Sequence, residues 1–149
     1  MCTGTPIGEL CFAVEEDKIL ALHTRERLWK TLTGIREGPH AQAFEKELKE
    51  YFKGERKSFT FKPVITGSSF KKKVLEEVTK IPYGSTTTYK KLAEKLSTSP
   101  RAIASVLRAN NILIIVPCHR VVMSSGDPGG YIIGKEAKLT LLRLEHIFV

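Results

Sequence analysis

Cysteine is scarce in this chain, with three in 149 residues. Three scattered thiols cannot build the disulfide scaffold of a small secreted domain, and their scarcity fits a reducing compartment. Long apolar runs are missing as well. No window approaches the roughly 18 apolar residues that read as a membrane-spanning helix, so no membrane partner is expected. The opening residues, MCTGTPIGEL, have neither the basic leader nor the apolar core of a signal peptide, and a cytoplasmic location is expected. Polar low-complexity tracts and internal repeats are also lacking. With 42% hydrophobic and 27% charged residues, the composition is that of a folded globular chain. Acids are in deficit: 16 Asp and Glu face 24 Lys and Arg, a formal net charge of +8. That excess favours an acidic partner, either nucleic acid or an anionic membrane surface.

What is present is a small α+β unit followed by a helical one. TPIG at residues 5–8 is a turn with proline at its second position, between MCTG and ELCFAV, and the pair predicts a hairpin. A two-residue turn at Pro6 and Ile7 pairs Thr5 with Gly8, and the same register sets Cys2 against Cys11, within disulfide reach. ILALHT predicts a third strand. RERLWKTLTGIREGPH carries mixed signals and predicts no single element. AQAFEKELKEYFKGE predicts a helix with Phe44, Leu48, Tyr51 and Phe52 on one face and Gly54 as its stop.

A domain boundary is expected at residues 62 and 63. Beyond it, Ser68 or Ser69 can cap SFKKKVLEEVTKI, where Phe70, Val74, Val78 and Ile81 recur at helical spacing. YKKLAEKLS and SPRAIASVLRAN predict two short helices around a turn, with Pro100 in the first turn of the second. Their outline is that of a helix-turn-helix. KEAKLTLLRLEHI predicts a last helix with Leu139, Leu142 and His146 on one face.

One stretch, IIVPCHRVV at residues 114–122, places cysteine, histidine and arginine at the end of a β-branched run that otherwise predicts a packed core strand. A thiol has an ordinary pKa of roughly 8.5, so a nearby base is needed to make it a strong nucleophile at neutral pH. His119 is the nearest candidate. Adjacent side chains on a strand point to opposite faces, so the pair needs a turn after Pro117 or a water between thiol and imidazole. Taken alone, a Cys-His dipeptide fits equally a buried free thiol beside a histidine that satisfies its own hydrogen bonds.

The surroundings of that dipeptide favour chemistry. VPCHRVV, preceded by RAN at 108–110 and by IPYGSTTTYKKLA at 81–93, with SPRA and GGY in order, resembles the O6-alkylguanine-DNA alkyltransferases, whose active-site signature is PCHRV. The resemblance runs from about Phe70 to Glu145, and TPIGEL is similar to the family's opening S-P-x-G turn. It implies a ribonuclease H-like α/β part over residues 1–62 and an alkyltransferase and DNA-binding part with a helix-turn-helix over 63–149. It also implies DNA repair by irreversible, single-turnover transfer of an alkyl group from O6-alkylguanine to the protein itself. O4-alkylthymine is left open as a further substrate, and a non-catalytic lesion-binding helix-turn-helix protein is the alternative.

Carried over residue by residue, the resemblance makes Cys118 the alkyl acceptor and His119 its base, acting through a water. Glu145 orients the histidine, Asn110 braces the active-site turn, and Tyr89 donates to N3 of the departing guanine. Carbonyls of Cys118 and Val121 receive the exocyclic amine of the base, Leu107 packs on its face, and Tyr131 with the Ile132 backbone N–H completes the pocket. Because O6 lies inside the base stack, the lesion must be extruded. Arg101 then fills its place, while Ala102, Ala104 and Ser105 permit a close approach to the minor groove of double-stranded DNA, and Arg108 and Arg120 are added as DNA contacts. Asn110 also suits a helix C-cap, and Arg101 an ordinary solvated charge.

Three departures stand out. Asn111 occupies the family's usual proline position, so a less rigid entry to the active-site strand is expected. Ile132 replaces the commoner serine or arginine, with consequences for pocket size. Some family members bind zinc in the N-terminal part, but Cys2, Cys11 and His23 do not reproduce that spacing. No metal, no cofactor and no obligate protein partner are expected, and the protein is expected to be a monomer.

Overall fold

The computed structural model describes residues 1–31 and 38–148. Contacts divide the chain into two compact units, Met1–Val64 with Asn111–Ile115, and Ile65–Asn110 with Val116–Val149. The result is a small mixed α/β protein. No helix among the described residues is long and apolar enough to cross a membrane.

The first unit is built on a sheet of order β1-β2-β3-β4: β1 (Cys2–Thr5), β2 (Gly8–Glu15), β3 (Lys18–His23) and β4 (Lys62–Pro63). The first three are antiparallel and β4 runs parallel to β3. The predicted hairpin register is observed, with Thr5 opposite Gly8 and Cys2 opposite Cys11. Gly8 has φ 101°, a left-handed conformation that only glycine adopts without strain. Cys2 and Cys11 are joined by a disulfide with Cα atoms 3.9 Å apart.

Helix α1 (Arg25–Thr31) forms within the stretch of mixed signals, of which residues 32–37 lie outside the described residues. Helix α2 (Pro39–Phe52) begins two residues before the predicted start, because Pro39 is pre-set for a first turn, and Gly54 follows its end at φ 78°. Its inner face buries Ala41, Phe44, Leu48 and Tyr51. Phe44 meets Phe12 at 5.0 Å and Phe61, edge-on, at 5.2 Å between ring centroids. Burying each such ring contributes about 1.5–3 kcal/mol.

Residues 111–115 overturn one expectation. They do not form a strand of the C-terminal part. Leu22 N–H donates to Asn111 O and Leu113 N–H to Leu22 O, both at 2.8 Å, which ties the segment to β3. The chain then turns sharply at Ile114, φ 71°. A β-branched residue there is rare and costs roughly 1–2 kcal/mol. The Asn111 side chain, expected to loosen this entry, accepts from Arg27 Nε at 2.9 Å.

The second unit is mainly helical. Helices α3 (Ser69–Thr79), α4 (Tyr89–Lys95) and α5 (Pro100–Arg108) start at the caps Ser68, Thr88 and Ser99, whose hydroxyls accept from the N–H groups of Lys71, Lys91 and Ala102. Strands β5 (Thr87–Thr88) and β6 (Val121–Val122) pair in parallel, and α6 (Lys135–Leu144) closes the unit.

Two predicted faces need correction. On α3 the buried stripe is Val74, Leu75 and Val78, while Phe70 is 39% exposed in the first turn, above the packed part. On α6 the buried face is Ala137, Lys138, Leu141 and Leu142. His146 is exposed at φ 63° beyond the helix end, so it cannot continue that face, and Glu145 is the C-cap residue rather than a helical one.

Candidate active site

The turn that the Cys-His pair requires is present. Pro117 (φ −81°, ψ 63°) redirects the chain, and Cys118–Arg120 form one turn of 3₁₀ helix. Cys118, His119 and Arg120 are all buried there. Asn110, the residue two beyond the end of α5, braces the turn: its Nδ2 donates to Val116 O at 3.1 Å and to Cys118 Sγ at 3.3 Å.

Glu145 gathers the polar groups of the turn. Its Oε2 lies 2.7 Å from His119 Nε2. Arg120 donates to both its oxygens, Nε to Oε1 at 2.8 Å and Nη2 to Oε2 at 3.0 Å, and Nη1 donates to Ile81 O at 2.7 Å. Gly84 N–H adds a further donor to Oε1 at 3.2 Å. A carboxylate held by this many donors has only acceptor capacity to offer, so it accepts from His119 Nε2–H. That fixes the tautomer and leaves the Nδ1 lone pair available. Nδ1 has no protein partner among the described residues.

Charges are displaced accordingly. Burial pushes the Cys118 thiol up, against the Asn110 hydrogen bond and the nearby Lys138 ammonium. Burial pushes His119 down more than Glu145 raises it. At rest the pair is therefore a neutral thiol beside a neutral imidazole, and reaction requires a proton to move between them.

A cleft of about 690 Å³ opens over Cys118. Of the expected base-contacting residues, Tyr89, Leu107, Tyr131 and Ile132 line it, and Arg101, Ala104 and Arg108 lie along the α5 side. Gly129, at φ 78°, lets the backbone approach Tyr89: an added Cβ would sit 3.0 Å from the ring and 3.2 Å from its hydroxyl. Burial raises the Tyr89 phenol, so it remains a proton donor at neutral pH. The Tyr131 hydroxyl is buried without a protein partner among the described residues and is raised well above the usual phenol range, burial being the main cause.

Other expected residues stand elsewhere. Val121 is fully buried, and its carbonyl accepts from Lys138 Nζ at 2.6 Å. Ala102 is partly buried and Ser105 exposed on α5. Arg120, expected on DNA, is only 7% exposed. Its donors face Glu145 and Ile81, so it belongs to the support of the turn and not to a nucleic-acid surface.

Sequence reasoning missed Lys138. It sits three and four residues before Leu141 and Leu142, on the apolar stripe of α6, and a lysine at that phase was the available signal. Among the described residues of the N-terminal part, one cluster has the donor types of a metal site. Cys2, Glu9 and Cys11 bring their donor atoms within 4.8 Å of one another, but the two sulfurs are bonded to each other, which removes the thiolates that zinc would need.

Comparison with known proteins gives this arrangement relatives. The sequence model of the 6-O-methylguanine DNA methyltransferase DNA-binding domain matches residues 69–147. The methylated-DNA–protein-cysteine methyltransferase of Metallosphaera sedula is 37% identical over 142 residues, covering 95% of this chain and 88% of that protein. The constitutive enzyme of that name from Bacillus subtilis is also 37% identical, over 96% of this chain and 92% of its own length. Among solved structures, Mycobacterium tuberculosis OGT in complex with DNA superposes with a TM-score of 0.82 at 31% identity, covering 97% of this chain and 90% of that one. On a matched domain spanning more than half its length and relatives aligned nearly end to end, the chain belongs to the methylated-DNA–protein-cysteine methyltransferase family.

Proposed function

We propose that this protein repairs DNA by moving the alkyl group of O6-alkylguanine onto its own Cys118, irreversibly and once per molecule. The observation that carries this reading is the buried Cys118 at the cleft, beside a histidine whose Nε2 faces Glu145 and whose Nδ1 has no partner among the described residues. His119 Nδ1 takes the thiol proton through a water, and Glu145 stabilises the imidazolium that results. Asn110 donates to the sulfur as charge develops on it. Sulfur then displaces the base from its alkyl carbon in line, while Tyr89 donates to N3 and improves the leaving group. Leu107 packs on the base, Tyr131 lies against it, and the Ile132 N–H serves its O6. The Cys118 carbonyl accepts from its exocyclic amine, while the Val121 carbonyl, taken by Lys138 Nζ, has to share its second lone pair to do the same.

The partner in this reading is double-stranded DNA, approached from the minor groove. Helices α4 and α5 act as a helix-turn-helix in the alkyltransferase and DNA-binding part, expected over 63–149. The N-terminal part, expected over 1–62, is ribonuclease H-like, with Asn111–Ile115 contributed to its unit from the later sequence. The target nucleotide is extruded, Arg101 occupies its place, and Ala102, Ala104 and Ser105 keep the helix surface low. Arg101 and Arg108 are exposed on α5, which supports contact with phosphates. The protein acts as a monomer in the cytoplasm without cofactor or metal.

The test is intact-protein mass after incubation with a duplex containing O6-methylguanine. Each molecule is expected to gain the mass of one CH2 unit, mapped to Cys118. Cys118→Ser is expected to gain none yet still bind the alkylated duplex, since most affinity comes from phosphate and groove contacts. Modification at any other residue, or repeated turnover, overturns the assignment.

A further inference from the structure

The segment Asn111–Ile115 is folded with the first unit and leads through Val116 and Pro117 into Cys118. Two neighbouring asparagines hold it, with different tasks. Asn110 Nδ2 donates to Val116 O at 3.1 Å and to Cys118 Sγ at 3.3 Å, so this side chain grips the exit of the segment and the sulfur together. Asn111 serves the entry. Its carbonyl accepts from Leu22 N–H, and Leu113 N–H donates to Leu22 O, both at 2.8 Å. Those bonds fix the peptides that follow Asn111 and do not by themselves fix its φ. A proline ring would hold that angle covalently. Asparagine is among the residues that stray most readily into the left-handed region, so a further restraint is needed.

Arg27 on α1 supplies it. Its Nε donates to Asn111 Oδ1 at 2.9 Å, across 84 residues of sequence. Being ionised, the guanidinium is a stronger donor than a neutral group would be. Its helix is also well seated. Thr24 Oγ1 accepts from Arg27 N–H at 3.4 Å, and Leu28 is buried in a cluster with Cys11 and Ala21, against which Cys2 packs. Rigidity matters at this entry because Ile114 follows at φ 71°. A left-handed isoleucine persists only while the chain around it over-determines it. Slack at Asn111 would let Ile114 relax and would carry Asn110, the adjacent residue, away from the sulfur.

We propose that Arg27 is a positioning residue for alkyl transfer: by clamping Asn111 it holds the entry to the active-site turn, and with it the Asn110 grip on Cys118 Sγ. The inference rests on the reading of Cys118 as the alkyl acceptor. Arg27 acts through two successive asparagines, the first fixing the backbone and the second meeting the sulfur. The Asn110 bond favours the Cys118 thiolate against the burial that opposes it. A displaced Asn110 therefore costs both the alignment and the strength of the nucleophile. An arginine that served only the stability of the first unit would make the same hydrogen bond, so rate and stability have to be read separately.

The experiment is a cycle on the intact protein with wild type, Arg27→Met, Asn111→Pro and the double variant. Transfer from O6-benzylguanine to Cys118 is followed by mass under single-turnover conditions over a range of concentrations, and thermal melting is recorded for each protein. Arg27→Met is expected to lower the limiting rate roughly tenfold, less than misplacing a reacting group by about 1 Å costs. The half-saturating concentration should change by less than about twofold, since no group that meets the base is removed. In the Asn111→Pro background, where the ring holds the angle, the same change is expected to cost less than about twofold in rate. A limiting rate unchanged in Arg27→Met, whatever its melting point, overturns the inference. So does a rate loss as large in the Asn111→Pro background as in wild type. Should either variant fail to fold, Asn111→Ala tests the same bond from the acceptor's side: it should slow transfer about as much as losing Arg27, and wild-type speed there overturns the proposal. Failure of wild type to alkylate Cys118 at all would instead defeat the underlying function.

Discussion

His23 and His119 are both buried, and in both the folded chain disfavours the charged form. For His23 the cause is burial first and the nearby Arg27 second, and they lower it to about 4. Its Nδ1 accepts from Thr24 N–H at 2.8 Å. An unfolded histidine takes up its proton near 6.5. Below that pH the unfolded chain binds protons that the native chain refuses until about 4, so stability is complete above 6.5 and drains away as pH falls. Each such histidine adds a slope of about 1.4 kcal/mol per pH unit in that window. Urea unfolding between pH 7.5 and 4.5 should show this loss, and His23→Gln should be flatter by about one proton's worth. An unchanged slope in the variant would show that His23 is not the group responsible. Two other residues show where identity alone misleads. Arg120 and Lys138 read as surface charges by type, yet Arg120 is bound to an acid 25 residues away in sequence and Lys138 to the carbonyls of Val121 in β6 and of Gly130. Cys118, His119 and Asn110 were legible because they fall together in a local motif.

Elements divide along the same line. The first hairpin was legible to the residue, because a two-residue turn at Pro6 and Ile7 permits one register and that register pairs Cys2 with Cys11. The start of α3 was legible from Ser68, one of two adjacent candidate caps, and that of α5 from Pro100 in its first turn, whereas the caps Thr88 and Ser99 emerge from the structure. The run 112–116 was not. Its β-branched apolar residues carry the composition of a strand, and periodicity cannot separate a buried turn from a buried strand. What decides it is the bonding of Asn111 and Leu113 to Leu22, some 90 residues earlier in the chain. The hairpin carries its own prediction. A disulfide closing so short a loop stabilises by about 2–3 kcal/mol in the chain-entropy account. Reduction, or Cys2→Ser, should therefore lower the melting temperature by several degrees while leaving the rate of transfer to Cys118 unchanged. Equal melting of oxidised and reduced protein would mean that the bond adds nothing to the fold.

For the molecule as a whole, reaction changes the object that has to remain folded. Cys118 is 3% exposed and its sulfur is already in contact with Asn110 Nδ2. An added alkyl group must either be accommodated by packed neighbours, at about 1–3 kcal/mol, or extend into the cleft. It also turns a thiol that could become an anion into a thioether, which is a weaker acceptor for Asn110. Both effects favour the unfolded chain. Thermal melting of unmodified, methylated and benzylated protein, with stoichiometry confirmed by mass, should give successively lower midpoints, each by a few degrees. Superimposable transitions would indicate that the cleft already holds room for the product. Cys118 is the free cysteine of the chain, the other two being joined to each other, so no internal thiol stands by to relieve it. A thioether is in any case closed to thiol exchange, which operates on disulfides. Each molecule is therefore a one-bit memory, and a population of them a dosimeter whose spent fraction records cumulative exposure rather than its current rate. Protection should accordingly be nearly complete up to a threshold dose set by the amount of protein and should collapse beyond it.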